Sequence, residues 1–100
     1  MVANLNYFVY IVECSDKTLY TGYTSNLTQR LEQHNSNKQG ARYTRMRRPV
    51  KLVFYEICSS RNKAMKHEKD IKKLSRVEKL NLVKMFKMNF AKTEDNNYFQ

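Results

Sequence analysis

Glu68 is the residue whose position solubility explains least. In a helix, Ala64, Glu68 and Ile71 follow one another at spacings of four and three and share a face within about 60° of arc. A carboxylate on or beside an apolar stripe is costly unless a cation accompanies it. Lys69, Lys72 and Lys73 could supply that cation, and a metal ion is the other candidate. Two phenols come next: Tyr10 and Tyr20 flank a short polar break at Ser15, Asp16 and Lys17, and a three-residue turn there would bring both to one face. A buried tyrosine is ordinarily a core piece with a satisfied hydroxyl, and Tyr7, Tyr23, Tyr43 and Tyr55 show how common the residue is here. Arg30 and His34 form an i, i+4 pair just downstream. A guanidinium on a half-buried helix face suits a bidentate oxyanion, either carboxylate or phosphate. His34 could carry a proton or touch a phosphate, although a lone helical histidine is ordinarily a surface residue.

Short regular elements must position these groups, since the chain has only two glycines and one proline. Residues 7–14 (YFVYIVEC) are dense in β-branched and aromatic side chains and predict a buried strand. Residues 18–24 (TLYTGYT) predict its hairpin partner, with Gly22 marking a bulge or the close approach of another backbone. Ser25 or Asn26 caps a helix over 27–33, with Leu27 and Leu31 facing inward. Residues 35–40 read as loop, and 50–58 (VKLVFYEIC) as a third strand. Ser59 or Ser60 caps a second helix reaching about Leu74. Ser75 and Glu78 match a capping box that opens a third helix, running to about Met88. Residues 1–90 make one domain, and 91–100, without periodicity, a disordered tail. The fold class is α/β in the α+β sense: a small three-stranded antiparallel sheet flanked by helices, in the order ββαβαα.

One hundred residues with 41% hydrophobic content suffice for one core. The 19 Lys and Arg against 9 Asp and Glu give a net charge of +10, which attracts a polyanion because neutralised phosphates release condensed counterions. Nucleic acid is therefore the expected partner. A membrane is not, since no run approaches the ~20 apolar residues of a span. Arg42, Arg45, Arg47 and Arg48 surround Tyr43, which is available to stack on a base, and Lys66, Lys69, Lys72 and Lys73 add a basic helix face. The plainer reading of both is a solvated, solubilising surface. No base-reading motif is visible, so recognition of shape or backbone is expected. Cys14 and Cys58 each close an apolar run without metal-ligand spacing, which fits inert core thiols. With no recognisable signal peptide, a reducing cytoplasm is the expected location.

In order and spacing, Phe8-Val9-Tyr10-Ile11, then Tyr20-Thr21-Gly22, then Arg30 and His34, then Glu68, resemble the GIY-YIG nuclease superfamily over residues 7 to about 84. The stretches GARYTRMRRPVKLVFYE (residues 40–56) and HEKDIKKLSRVEKLNLV (residues 67–83) resemble those of its small stand-alone bacterial members. The literal glycine and isoleucine of the first motif are Phe8 and Val9 here, and the second isoleucine is Thr21. These are backbone and packing positions. The resemblance implies that Tyr10 and Tyr20 are the motif tyrosines, Arg30 the phosphate-binding arginine and Glu68 the ligand of one Mg²⁺ or Mn²⁺ ion. It implies hydrolysis of phosphodiesters, most naturally in DNA undergoing repair or recombination, directed by structure and not by sequence. Some relatives add an asparagine after the glutamate, for which Asn81 is the available residue. Tyr10 would be general base, its phenol (pKa ~10 when unperturbed) lowered by Arg30 and the metal, while Tyr20 positions the water or relays its proton. His34 and Tyr20 stay open as alternative bases. A protein partner could supply targeting, and nothing in the sequence sets an oligomeric state.

The competing reading is a non-catalytic basic DNA- or RNA-binding module of the same fold, including a ribosome- or RNA-associated protein. Against it, an unmetallated carboxylate beside phosphates would repel the ligand.

Overall fold

β-Branched and aromatic residues dominate the first apolar run, and there the chain forms β1 (Tyr7–Glu13), followed by β2 (Leu19–Thr24). The computed structural model describes residues 6–36 and 41–91. Ser15, Asp16 and Lys17 turn the hairpin: the Lys17 amide donates to the Cys14 carbonyl at 2.9 Å, and Lys17 takes a left-handed φ of 71°. Asp16 Oδ1 accepts from the Thr18 amide and hydroxyl, the local bond that makes Asp a turn residue. β3 (Lys51–Cys58) pairs with the other edge of β1, giving an antiparallel sheet of order β2-β1-β3. Its register shifts between Ile11 and Val12, so Val53 has no partner on β1.

The pleat sorts β1 into two faces. Val9 and Ile11 join Val53, Phe54, Cys58, Ala64, Ile71 and Val83 in one apolar cluster. Tyr10, Val12, Cys14 and Val50 form the other, with Tyr20, Leu27, Leu31, Leu52 and Tyr55 packed against it. Both thiols are buried and unpaired, and burial pushes each upward in pKa, as expected of inert core cysteines.

Among the described residues, four helices flank the sheet. α1 (Leu27–His34) starts at Asn26, whose side chain accepts from the Gln29 amide. α2 (Arg42–Arg45) is a single turn in the basic segment, to which the sequence reading assigned no element. α3 (Arg61–Lys72) is capped by Ser60 and buries Ala64 and Ile71, as the spacing predicted. α4 (Arg76–Ala91) opens with the expected capping box: Ser75 Oγ accepts from the Glu78 amide and Glu78 Oε1 from the Ser75 amide. Asn35 ties the end of α1 to β3, its amide group bonding both the N–H and the C=O of Val50. Ala91 is the last residue of α4, and the tail beyond it lies outside the described residues. Among these, no helix is long and apolar enough to cross a membrane.

Candidate active site

The site grows from one side chain. Tyr10 stands in the central strand directly opposite Gly22 of β2, and its phenol lies across the glycine: a Cβ there would sit 2.6 Å from the Tyr10 oxygen. Gly22 takes no positive φ, so the glycine serves space and not conformation. This corrects the sequence expectation of a bulge or a backbone approach. The register irregularity lies elsewhere, and what crosses Gly22 is a side chain. Pairing of Val12 with Tyr20 puts Tyr10 and Tyr20 on the same face, as the turn length implied.

The Tyr10 hydroxyl is buried and bonds His34 Nε2 at 2.7 Å. His34 is fully buried, contrary to the ordinary surface placement of a helical histidine, because α1 packs this flank on the sheet. Its Nδ1 lies 2.8 Å from the hydroxyl oxygen of Thr44, itself fully buried, and that hydroxyl donates to the Ala41 carbonyl at 3.1 Å. The Tyr20 ring meets His34 edge-on at 5.2 Å and stacks with Tyr43 at 5.9 Å. Thr44 was not anticipated from the sequence. Its only signal was a small β-branched residue set among four arginines.

Arg30 donates to the Tyr10 hydroxyl and, through Nη1, to Gln33 at 2.9 Å. Burial holds the phenol up to about 12, outweighing the Arg30 hydrogen bond and charge that pull it down, with Tyr20 and Glu68 pushing upward in addition. The expected lowering by Arg30 is thus present but loses to desolvation, and the phenol is protonated at neutral pH. Burial, then the Arg30 charge, drop His34 to about 4, so the imidazole is neutral.

Glu68 completes the group. Its charge reaches Tyr10, its side chain is only 19% exposed, and Oε2 is 3.3 Å from Lys72 Nζ in an i, i+4 pair. Both cations weighed for Glu68 thus remain in play, with Lys72 in contact. As a metal site the donor set fits one class of ion. No group of three or more His, Cys, Asp or Glu side chains gathers among the described residues, so an ion on Glu68 would draw its other ligands from water and substrate oxygens. Mg²⁺ and Mn²⁺ bind in this way. Asn81 is exposed on α4.

Around this centre the basic segment is only partly free. Arg47 bonds Asp16 Oδ2 at 3.0 Å and the Tyr43 carbonyl at 2.9 Å, and its guanidinium lies 4.0 Å above the Tyr43 ring. Arg48 donates to the Arg45 carbonyl at 3.0 Å. Arg42 and Arg45 are exposed, as are Tyr43, Lys72 and Lys73.

Two phenols, a guanidinium and a carboxylate from β1, β2, α1 and α3 thus surround one polar centre. The profile of the GIY-YIG catalytic domain matches residues 6–81. The chain belongs to the GIY-YIG family. This is a nuclease family, and the match spans every residue of the centre. Among small relatives, a UPF0213 protein of Syntrophus aciditrophicus is 60% identical over 77 residues, covering 77% of this chain and 88% of that protein. The solution structure of the UPF0213 protein BH0048 from Bacillus halodurans is 44% identical, with a TM-score of 0.53 over 81% of this chain and 85% of that one. The solution structure of EF2693 from E. faecalis is 34% identical, with a TM-score of 0.58 over 88% and 93%.

Proposed function

We propose that this GIY-YIG protein is a divalent-metal-dependent endonuclease that hydrolyses phosphodiester bonds, with DNA of particular structure as substrate and repair or recombination as its setting. The observation that carries the reading is the convergence on the buried Tyr10 hydroxyl of Arg30, His34 and the charge of Glu68. A structural tyrosine needs one partner for its hydroxyl. A guanidinium and a carboxylate in addition suit a phosphoryl group and its cation.

Glu68 would hold one Mg²⁺ or Mn²⁺, which supplies Lewis acidity toward the phosphate and the leaving oxygen. Arg30 takes the non-bridging phosphate oxygens in a forked contact. Tyr10 receives the proton of the attacking water while its own proton passes to His34 Nε2, so no free phenolate forms; the water becomes the hydroxide that attacks phosphorus. At rest the pair is neutral, since Tyr10 sits at about 12 and His34 at about 4. Phosphate bound on Arg30 offsets the positive charge that is the second cause of the low His34 pKa, so substrate makes the acceptor more basic. His34 acts through Tyr10: it is fully buried and both ring nitrogens are engaged. Tyr20, half-buried beside it, orients the water. Arg42, Arg45 and Lys73 grip the backbone, joined by Lys72 once Glu68 has its cation. Arg47 and Arg48 stiffen the segment that presents Tyr43.

The non-catalytic binding module finds support in the Lys72–Glu68 pair, since Lys72 already neutralises the carboxylate. One experiment separates the two. Purified protein and Glu68→Ala are incubated with labelled single-stranded, duplex and branched DNA, and with RNA, in Mg²⁺, Mn²⁺ or EDTA. Metal-dependent cleavage that vanishes in the variant is expected. Binding without cleavage by both proteins would make this a binding module.

A further inference from the structure

We propose that Thr44 is a positioning residue that sets the tautomer of His34 and thereby the direction in which the Tyr10 hydroxyl donates its proton. The consequence for catalysis rests on the reading of Tyr10 given above, but the assignment itself does not.

Donors and acceptors alternate along a buried line behind Tyr10. Four groups are joined in series, the Tyr10 hydroxyl, the His34 imidazole through both its nitrogens, the Thr44 hydroxyl and the Ala41 carbonyl, at 2.7, 2.8 and 3.1 Å. A carbonyl only accepts, so the bond to Ala41 uses the single Thr44 hydroxyl proton. Thr44 Oγ1 can then only accept from His34, which requires the proton on Nδ1 and a bare lone pair on Nε2. Nε2 in turn can only accept, and the Tyr10 hydroxyl donates to it. At the far end Arg30, which only donates, meets the phenolic oxygen through a lone pair. Each donor has one acceptor and each bond one proton.

The opposite arrangement fails at Tyr10. If Thr44 donated to Nδ1, Nε2 would carry the proton and donate to the phenolic oxygen, as Arg30 already does. The Tyr10 hydroxyl proton, on a residue 2% exposed, would then lose the acceptor it has now. A buried donor left unmatched carries its full desolvation penalty, whereas the first arrangement leaves no group unmatched, so the Nδ1–H tautomer is the one populated. Thr44 is also held where it can do this. It is fully buried in α2, and its amide as well as its hydroxyl bonds the Ala41 carbonyl. The same turn carries Arg42, Tyr43 and Arg45, so the segment that faces nucleic acid also sets the hydrogen-bond direction at Tyr10.

The test reads the tautomer directly. Two-bond ¹H–¹⁵N correlation spectra of the imidazole ring are recorded at pH 7.5 on His67→Gln protein, which leaves His34 as the only histidine. Expected is a protonated Nδ1 and a bare Nε2, retained in Thr44→Ser and giving way to a mixture with Nε2–H in Thr44→Val, where an Nδ1–H without an acceptor competes with a Tyr10 hydroxyl without one. A protonated Nε2 in the parent protein overturns the proposal, and so does a folded Thr44→Val protein whose Nδ1–H population is undiminished. Should Thr44→Val not fold, Thr44→Ala is judged by the same criterion. In cleavage assays Thr44→Val is expected to lower kcat about tenfold or more with KM within about twofold, and Thr44→Ser to restore it. An inactive parent protein that nonetheless shows the tautomer switch would refute the nuclease reading while supporting the role of Thr44 at His34.

Discussion

The buried histidine makes the fold acid-sensitive in a defined window. His34 falls from 6.5 to about 4 on folding, so below pH 6.5 the unfolded chain takes up a proton that the native site refuses. The sign follows: the contribution of a neutral His34 is fully present above pH 6.5 and is lost as pH falls toward 4. Linkage gives a loss of about 2 kcal/mol at pH 5.0 and about 3 kcal/mol at pH 4.0. Against a total of roughly 5–15 kcal/mol for a small domain, this is a large share. Urea titrations of His67→Gln protein at pH 7.0 and 5.0 measure it. Asp16, held low by the Thr18 hydroxyl, stays charged over this interval. The midpoint is expected to fall by about 1 M urea over that interval. In His34→Gln/His67→Gln protein, less stable throughout, the dependence should nearly vanish. An imidazole midpoint near 6.5 by NMR, or an acid slope that survives removal of His34, would refute the burial argument.

Three other substitutions probe the geometry. Gly22→Ala places a methyl group where the Tyr10 phenol lies, 2.6 Å from its oxygen, so stability should fall by about 1–3 kcal/mol and cleavage should collapse with it; thermal melts and kcat read both. Lys72→Met frees Glu68 from a half-exposed partner worth at most about 1 kcal/mol, so Mn²⁺ measured by electron paramagnetic resonance should bind up to about fivefold tighter. Mn²⁺ affinity left intact by Glu68→Ala would mean that Glu68 is not the ligand. Lys17→Gly relieves a left-handed residue in the hairpin turn and should raise stability by about 0.5–1 kcal/mol in urea titrations, while a loss would place the cost of glycine entropy above that of the strained φ.

Much of the fold was legible because its signals are local. The strands are apolar and aromatic runs, the caps at Asn26 and Ser60 and the box at Ser75 and Glu78 lie within four residues of what they cap, and Ala64 and Ile71 follow helical spacing. The one-turn α2 was not legible, since four residues between loop-like flanks carry no period. The common face of Tyr10 and Tyr20 followed from turn length alone. The depth of His34 could not, because α1 shows an inward Leu27–Leu31 pair but no sign of where its last turn meets the sheet. Thr44 was hidden for a related reason: its partner lies ten residues away across a loop, and its neighbours suggested only a solvated basic surface.

These blind spots share a cause, and it bears on mechanism. Charged groups advertise themselves in sequence because burying them needs a reason, which is why Glu68 and Arg30 were conspicuous. Neutral hydrogen-bonding groups do not, since a threonine or a neutral imidazole enters a core cheaply once its bonds are made. At this site the conspicuous charges surround Tyr10, while the inconspicuous neutral pair behind it decides where its proton points. A protein that kept Tyr10, Arg30 and Glu68 but lost the acceptor on His34 would preserve every sequence signal of the site. Its phenol would be free to turn its proton toward the substrate, donating to the attacking water where the mechanism needs it to accept. Presence of the motif residues is therefore a weaker test of nuclease chemistry in this fold than the protonation state of one buried ring.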